Sequence, residues 1–167
     1  MTPRGDIRVL IDGFLQADKF LAGLPQWVED PGESCCRWSR PIEVHGEQPG
    51  LNFVVKSYPR EKPPQFRILL MAQKCVWRLD VTNDERLNPL SAPFNPGIPI
   101  TGPHYHCWAD NRVFATVNSL PSKLKNARIL KESFRSFDSA FRWFCGETNI
   151  VVVTSEIPSL PRAGTFI

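Results

Sequence analysis

Apolar positions near the start of the chain recur at helical spacing. Ile7, Leu10, Ile11, Phe14, Ala17 and Leu21 fall three and four residues apart, which predicts an N-terminal helix with one apolar face. Asp6 suits the N-cap, and Gly23 followed by Pro25 supplies a stop. The period then shortens to two. Cys36–Ser39 alternates weakly toward a strand ending near Pro41, and Leu51–Tyr58 is rich in β-formers. Phe66–Met71 and Cys75–Val81 predict two more strands around Gln73-Lys74. In the second of these, Cys75, Trp77, Leu79 and Val81 share one face while Arg78 and Asp80 share the other. That is the alternation of an antiparallel sheet with one buried face.

Asn83 to Pro103 carries neither period and holds Pro89, Pro93, Pro96, Pro99 and Pro103, so it predicts a long loop. Residues 104–109 and 112–117 read as strands joined across Asp110-Asn111, a pair that tolerates a tight hairpin turn. Lys123–Glu132 reads as a basic helix. A second helix is marked by Phe137, Ala140, Phe141 and Phe144, with Ser136 as its cap and Gly146 as its stop. Ile150–Val153 reads as a buried strand, and residues 158–167 as a loose tail. Strands that adjoin in sequence predict an α+β single domain spanning 1–167. Its antiparallel meander, of about five to seven strands, packs against the N-terminal helix and the helix of the C-terminal half. The expected core includes Leu10, Phe14, Phe53, Val55, Ile68, Leu70, Trp77, Leu79, Phe141, Phe144 and Val152.

Composition narrows the class. At 167 residues, with 42% hydrophobic and 22% charged positions, the chain can build a core, which excludes intrinsic disorder. No apolar run approaches the roughly 20 residues of a membrane span, and the start lacks the pattern of a secretory signal. A cytoplasmic protein with no membrane partner is the expectation. The five cysteines are odd in number and include no Cys-x-x-Cys pair, which argues against a disulfide framework and against structural zinc. Net charge is +3, but positions 112–142 hold seven basic residues, Arg112, Lys123, Lys125, Arg128, Lys131, Arg135 and Arg142, against Glu132 and Asp138, a local surplus of five positive charges. Such a stretch suits RNA or an acidic protein surface, or it is simply a solvated face.

The candidate chemistry lies in Gly102-Pro-His-Tyr-His-Cys-Trp108. On a strand, His104 and His106 project to the same side. Two imidazoles can divide acid and base roles in attack of a ribose 2′-OH on its phosphate. Arg78, Arg112, Lys123, Lys125 and Arg128 would then steady the anion or contact a partner. The same pair could bind a metal, with Asp110 as the nearest further ligand. The His-x-His-plus-acid spacing resembles a cupin metal motif, but the glycine after the acid and the second half-motif are missing, so no cofactor is expected. The plain alternative is that the imidazoles only hydrogen-bond loop carbonyls. Trp27 and Trp38, in poorly patterned segments, are candidates for an exposed contact surface.

The block Phe66–Ile150 resembles a family of small, uncharacterised prokaryotic and phage proteins. The likeness rests on the strand 66–71, on Val76-Trp-Arg-Leu-Asp80 and on Gly102-Pro-His-Tyr-His. Phe144-Cys145 and Asn149-Ile150 extend it. The resemblance implies a small bacterial or phage protein of unassigned function, and the placement of such proteins near mobile elements points to a toxin or defence-related role. Two functions follow as expectations: a ribonuclease-like toxin using His104 and His106, or a non-catalytic inhibitor or antitoxin-like partner. The latter would use the 83–103 loop and the basic 112–142 region as its contact surface.

Overall fold

The computed structural model describes residues 5–162. Helix α1 (Ile7–Gln16) begins where the Asp6 carboxylate accepts the Arg8 backbone N–H at 2.9 Å. It stops short of the predicted end, because from Lys19 the chain is extended as β1 (Lys19–Leu21). The Lys19 side chain is fully buried and donates to the carbonyls of Phe14, Leu15 and Ala17 at 2.6, 3.2 and 2.7 Å. It thereby satisfies carbonyls at the helix end that no further turn would meet. Burial pulls the Lys19 amine down to about 8.

A short strand, β2 (Trp27–Asp30), leads into the meander formed by β3 (Cys35–Val44), β4 (Leu51–Tyr58), β5 (Gln65–Ala72) and β6 (Lys74–Val81). Neighbouring strands pair antiparallel throughout, with one irregularity between Leu70 and Met71. The α+β class and the antiparallel meander are as the alternation predicts. Short strands extend the sheet at both ends beyond the expected number. β9 (His104–His106) joins β6, and β10 (Arg128–Ile129) joins β9. At the far side β1 pairs with β3, and β11 (Ile150–Val151) pairs with β1 in parallel.

One face of the sheet carries the apolar core. Helix α3 (Phe137–Glu147), capped by Ser136, lays Phe141 and Phe144 on Phe53 at ring separations of 4.9 and 5.5 Å. Trp38 packs edge-on to Phe53 and Phe141, which corrects its assignment to an exposed surface: it sits at the centre of the core. Phe53, Val55, Ile68, Leu70, Trp77, Leu79, Phe141 and Phe144 are buried as expected, whereas Phe14 and Val152 are half-buried. Leu10 is 53% exposed, because Ile11 rather than Leu10 is the residue α1 buries.

The second half of the chain departs from expectation. Asp110-Asn111 makes no hairpin; it lies in the single-turn helix α2 (Trp108–Asn111), followed by a 3-10 turn at Arg112–Phe114. Asn111 explains this. Its buried amide donates to Cys107 O and Asn126 O at 2.9 Å each and accepts the Asn126 N–H at 2.8 Å, fixing a helical turn rather than a strand reversal. Residues 123–132 are not helical either; their one regular element is the two-residue strand β10. The long Pro-rich loop contains structure of its own: β7 (Glu85–Leu87) and β8 (Pro99–Thr101) form a separate two-stranded hairpin. Of the expected tail, Leu160 packs partly against the core, and residues 163–167 lie outside the described range. No helix among the described residues is long and apolar enough to cross a membrane.

Candidate functional site

The side of the sheet facing away from α3 carries polar residues in rows. Register places Arg37, Lys56, Arg67, Asp80 and His104 opposite one another across β3, β4, β5, β6 and β9. Two residues along, Arg78 faces His106. His104 and His106 do share one strand face, and their rings lie 5.3 Å apart.

Asp80 is the residue they meet. Its Oδ2 lies 3.1 Å from His104 Nε2 and 3.4 Å from His106 Nε2, and it accepts Arg78 Nε–H at 2.9 Å. Arg67 Nε stands 3.2 Å from the other carboxylate oxygen. Arg78 also bridges to His106, its Nη2 donating to Nε2 at 2.9 Å, and Arg86 Nη1 donates to the same nitrogen at 3.1 Å. With Nε2 accepting, the proton of His106 sits on Nδ1, which donates to Asn126 O at 3.1 Å. His104 Nδ1 faces Gly102 O at 2.8 Å.

The cluster is sealed from solvent. Asp80 is 2% exposed, His104 2% and His106 0%. Burial, with the Arg78 and Arg86 charges alongside, pulls His106 down to about 4 against the opposing pull of Asp80. For Asp80, burial alone would raise the pKa, yet the adjoining His104 ring and the Arg78 guanidinium hold it well below the usual carboxylate range.

Two histidines and one carboxylate with converging atoms have the makeup of a metal centre, and ring nitrogens anchored on backbone carbonyls are the usual support for one. The fit fails on charge and occupancy. Two guanidinium N–H groups already fill the His106 Nε2 lone pair, and Arg67, Arg78 and Arg86 surround a single carboxylate. The third ligand expected from sequence, Asp110, is elsewhere. Its carboxylate accepts Arg128 Nε and Nη2 in a two-pronged pair at 2.7 Å each.

The expected phosphate contacts are also dispersed. Arg78 joins the histidines. Arg112 is held by Asp12 at 2.9 to 3.0 Å, and Arg128 is committed to Asp110, with its guanidinium 3.7 Å above the Phe94 ring. Arg142 pairs with Asp138. Lys125 extends over the Phe114 ring, and Lys123 is exposed. The surplus of charge read from positions 112–142 is thus partly neutralised, in two pairs by acids outside that window.

Sequence reasoning passed over Asp80, Arg67, Arg86 and Asn126. Asp80 was placed on the polar face, where exposure is the default. One signal was available: Arg78-x-Asp80 and His104-x-His106 each put charge-bearing residues at alternate positions of a strand. Comparison of the chain with protein-family models, with curated proteins and with solved structures finds no match.

Proposed function

We propose that this protein is a non-catalytic interaction protein that grips a partner protein with the outer face of the β7–β8 hairpin. The observation carrying this reading is a concentration of exposed apolar side chains on one ordered segment. Leu87 is 66% exposed, Leu90 87%, Phe94 47% and Ile98 46%. Leu87 stands opposite Pro99 in the hairpin register, and Leu90 lies across Gly97, where an added Cβ would meet its Cδ2 at 2.6 Å. Apolar groups held at the surface in this way mark contact faces in soluble proteins.

The hairpin is ordered by polar stitches rather than by its own length. Asn88 donates to Phe94 O and Ala127 O at 3.0 and 2.7 Å and accepts the Ala127 N–H at 3.0 Å. Lys123, Lys131 and Arg135 are exposed in the neighbouring segment and enter no ion pair among the described residues, so an acidic rim around an apolar centre complements this face. The ribonuclease reading has less behind it, because an acid–base pair must reach its substrate and neither imidazole presents surface.

The test compares a Leu87→Asp, Leu90→Asp variant with a His104→Gln, His106→Gln variant, each checked for folding by circular dichroism. A photo-crosslinker at position 98 reports on partner proteins in extract of the native host, and a labelled RNA pool reports on cleavage. The reading expects a protein adduct with the parent chain and with the histidine variant, loss of it in the aspartate variant, and no cleavage. RNA cleavage that vanishes in the histidine variant overturns it.

A further inference from the structure

We infer that the β7–β8 hairpin is a latched lid, able to lift as a unit and uncover the Asp80–His104–His106 cluster. The hairpin belongs to no larger sheet: β7 and β8 pair only with each other among the described strands. Strand alternation turns Leu87 and Pro99 outward and Arg86 and Ile100 inward, and Ile100 is fully buried. Arg86 is the hairpin's direct contact with the cluster, through the bond to His106 Nε2, and it also donates to Lys125 O.

The remaining latches are few and mostly polar, with Ile100 and Ala92 the buried apolar side chains that opening must expose. Asn88 holds the backbone of Ala127, and Phe94 stacks beneath Arg128. Each hydrogen bond of Arg86 and Asn88 to the body involves a side chain, and water can replace it when the segment moves out. Arg86 Nε has no hydrogen-bond partner among the described residues, so lifting costs that donor nothing. By contrast, the strands beneath pair continuously and pack on α3 through apolar surface that water cannot replace. Opening therefore separates along the polar seam, leaving the meander intact. The lifted state sets two imidazoles and a carboxylate, with Arg78 beside them, at the floor of an open groove. A partner gripping the outer apolar face would shift this equilibrium; that coupling rests on the contact reading above, whereas the opening itself does not.

Native-state hydrogen exchange and histidine labelling test the lid on the intact chain without any partner. Amides of residues 86–100 are expected to exchange through an opening at least tenfold more frequent, and less denaturant-dependent, than that of β4–β6. Diethyl pyrocarbonate should modify exposed His45 in every sample, which serves as the internal control. In the parent chain His106 should react at least tenfold more slowly than His45, and an Arg86→Ala, Asn88→Ala variant should raise its rate while β4–β6 protection stays unchanged. An Asn88→Ala single variant serves if the double variant proves unstable. The inference is overturned if the hairpin and β4–β6 exchange with one rate and one denaturant dependence, or if His106 labels only when the whole domain unfolds. Neither outcome bears on whether a partner binds the outer face.

Discussion

The meander β3–β6 and the segment 83–135 occupy the same domain but are held by different physics. In the meander, backbone groups pair with one another and the side chains only have to be apolar on the α3 side. In the segment, little backbone pairing exists, and side chains do the pairing: Asn88, Asn111, Asn126, Arg86 and His106 each bond a carbonyl or N–H of a distant loop. The first arrangement tolerates many sequences, since any alternating apolar pattern satisfies it. The second depends on particular groups, because a buried carbonyl without its donor is left unpaired.

The comparison breaks most sharply in the core. Phe53→Ala removes a fully buried ring that touches Trp38, Phe141 and Phe144, and should cost about 4 kcal/mol in urea-induced unfolding. Asp80→Ala should come next, at about 3 kcal/mol, because it strands His104, Arg78 and Arg67 around a site that had one carboxylate for all of them. The solvent-facing parts of Arg67 and Arg78 hold the figure below that of a fully buried ion pair. Asn88→Ala should lose about 2 kcal/mol globally, yet the protection of residues 86–100 against exchange should drop further than that of β4–β6. Leu87→Asp should change stability by less than about 0.5 kcal/mol, since the residue is largely exposed; a larger loss would mean that the outer face packs on the body of the domain.

Legibility followed the same division. Strands predicted at 51–58, 66–71 and 75–81 are observed at 51–58, 65–72 and 74–81, because these stretches are rich in β-formers and set most of their apolar side chains at alternate positions. Val54, Leu69 and Val76 break the alternation, and the irregularity at Leu70/Met71 pairs Cys75 with Met71, off the predicted face of Trp77 and Leu79. Ser136 and the phenylalanine spacing likewise placed α3. In the second half the decisive interactions join residues far apart, such as Asn88 to Ala127 and His106 to Asn126, and no local window contains both partners. Asp110-Asn111 carried a correct turn propensity that was overridden by the buried bonds of the Asn111 side chain. The shared face of His104 and His106 was legible because strand geometry alone decides it. Their seal was not, since it depends on where Arg86 and Lys125–Asn126 cross the sheet.

The paired histidines sit in a closed, buried cluster instead of an open catalytic cleft, and the protonation state of His106 reads this directly. Its folded pKa lies below the unfolded value of about 6.5, so the neutral ring supports the fold above that pH. Stability should fall as pH drops from about 6.5 toward 4 and level off beneath, by no more than about 3 kcal/mol from this group. Long-range nitrogen–proton spectra of the imidazoles across pH 8 to 4 are the measurement. His106 is expected to keep its proton on Nδ1, with Nε2 unprotonated, until the pH approaches 4. A ring that titrates near 6.5, or that carries its neutral-state proton on Nε2, would mean that His106 is not held as an acceptor for Arg78 and Arg86, and would return it to the catalytic reading.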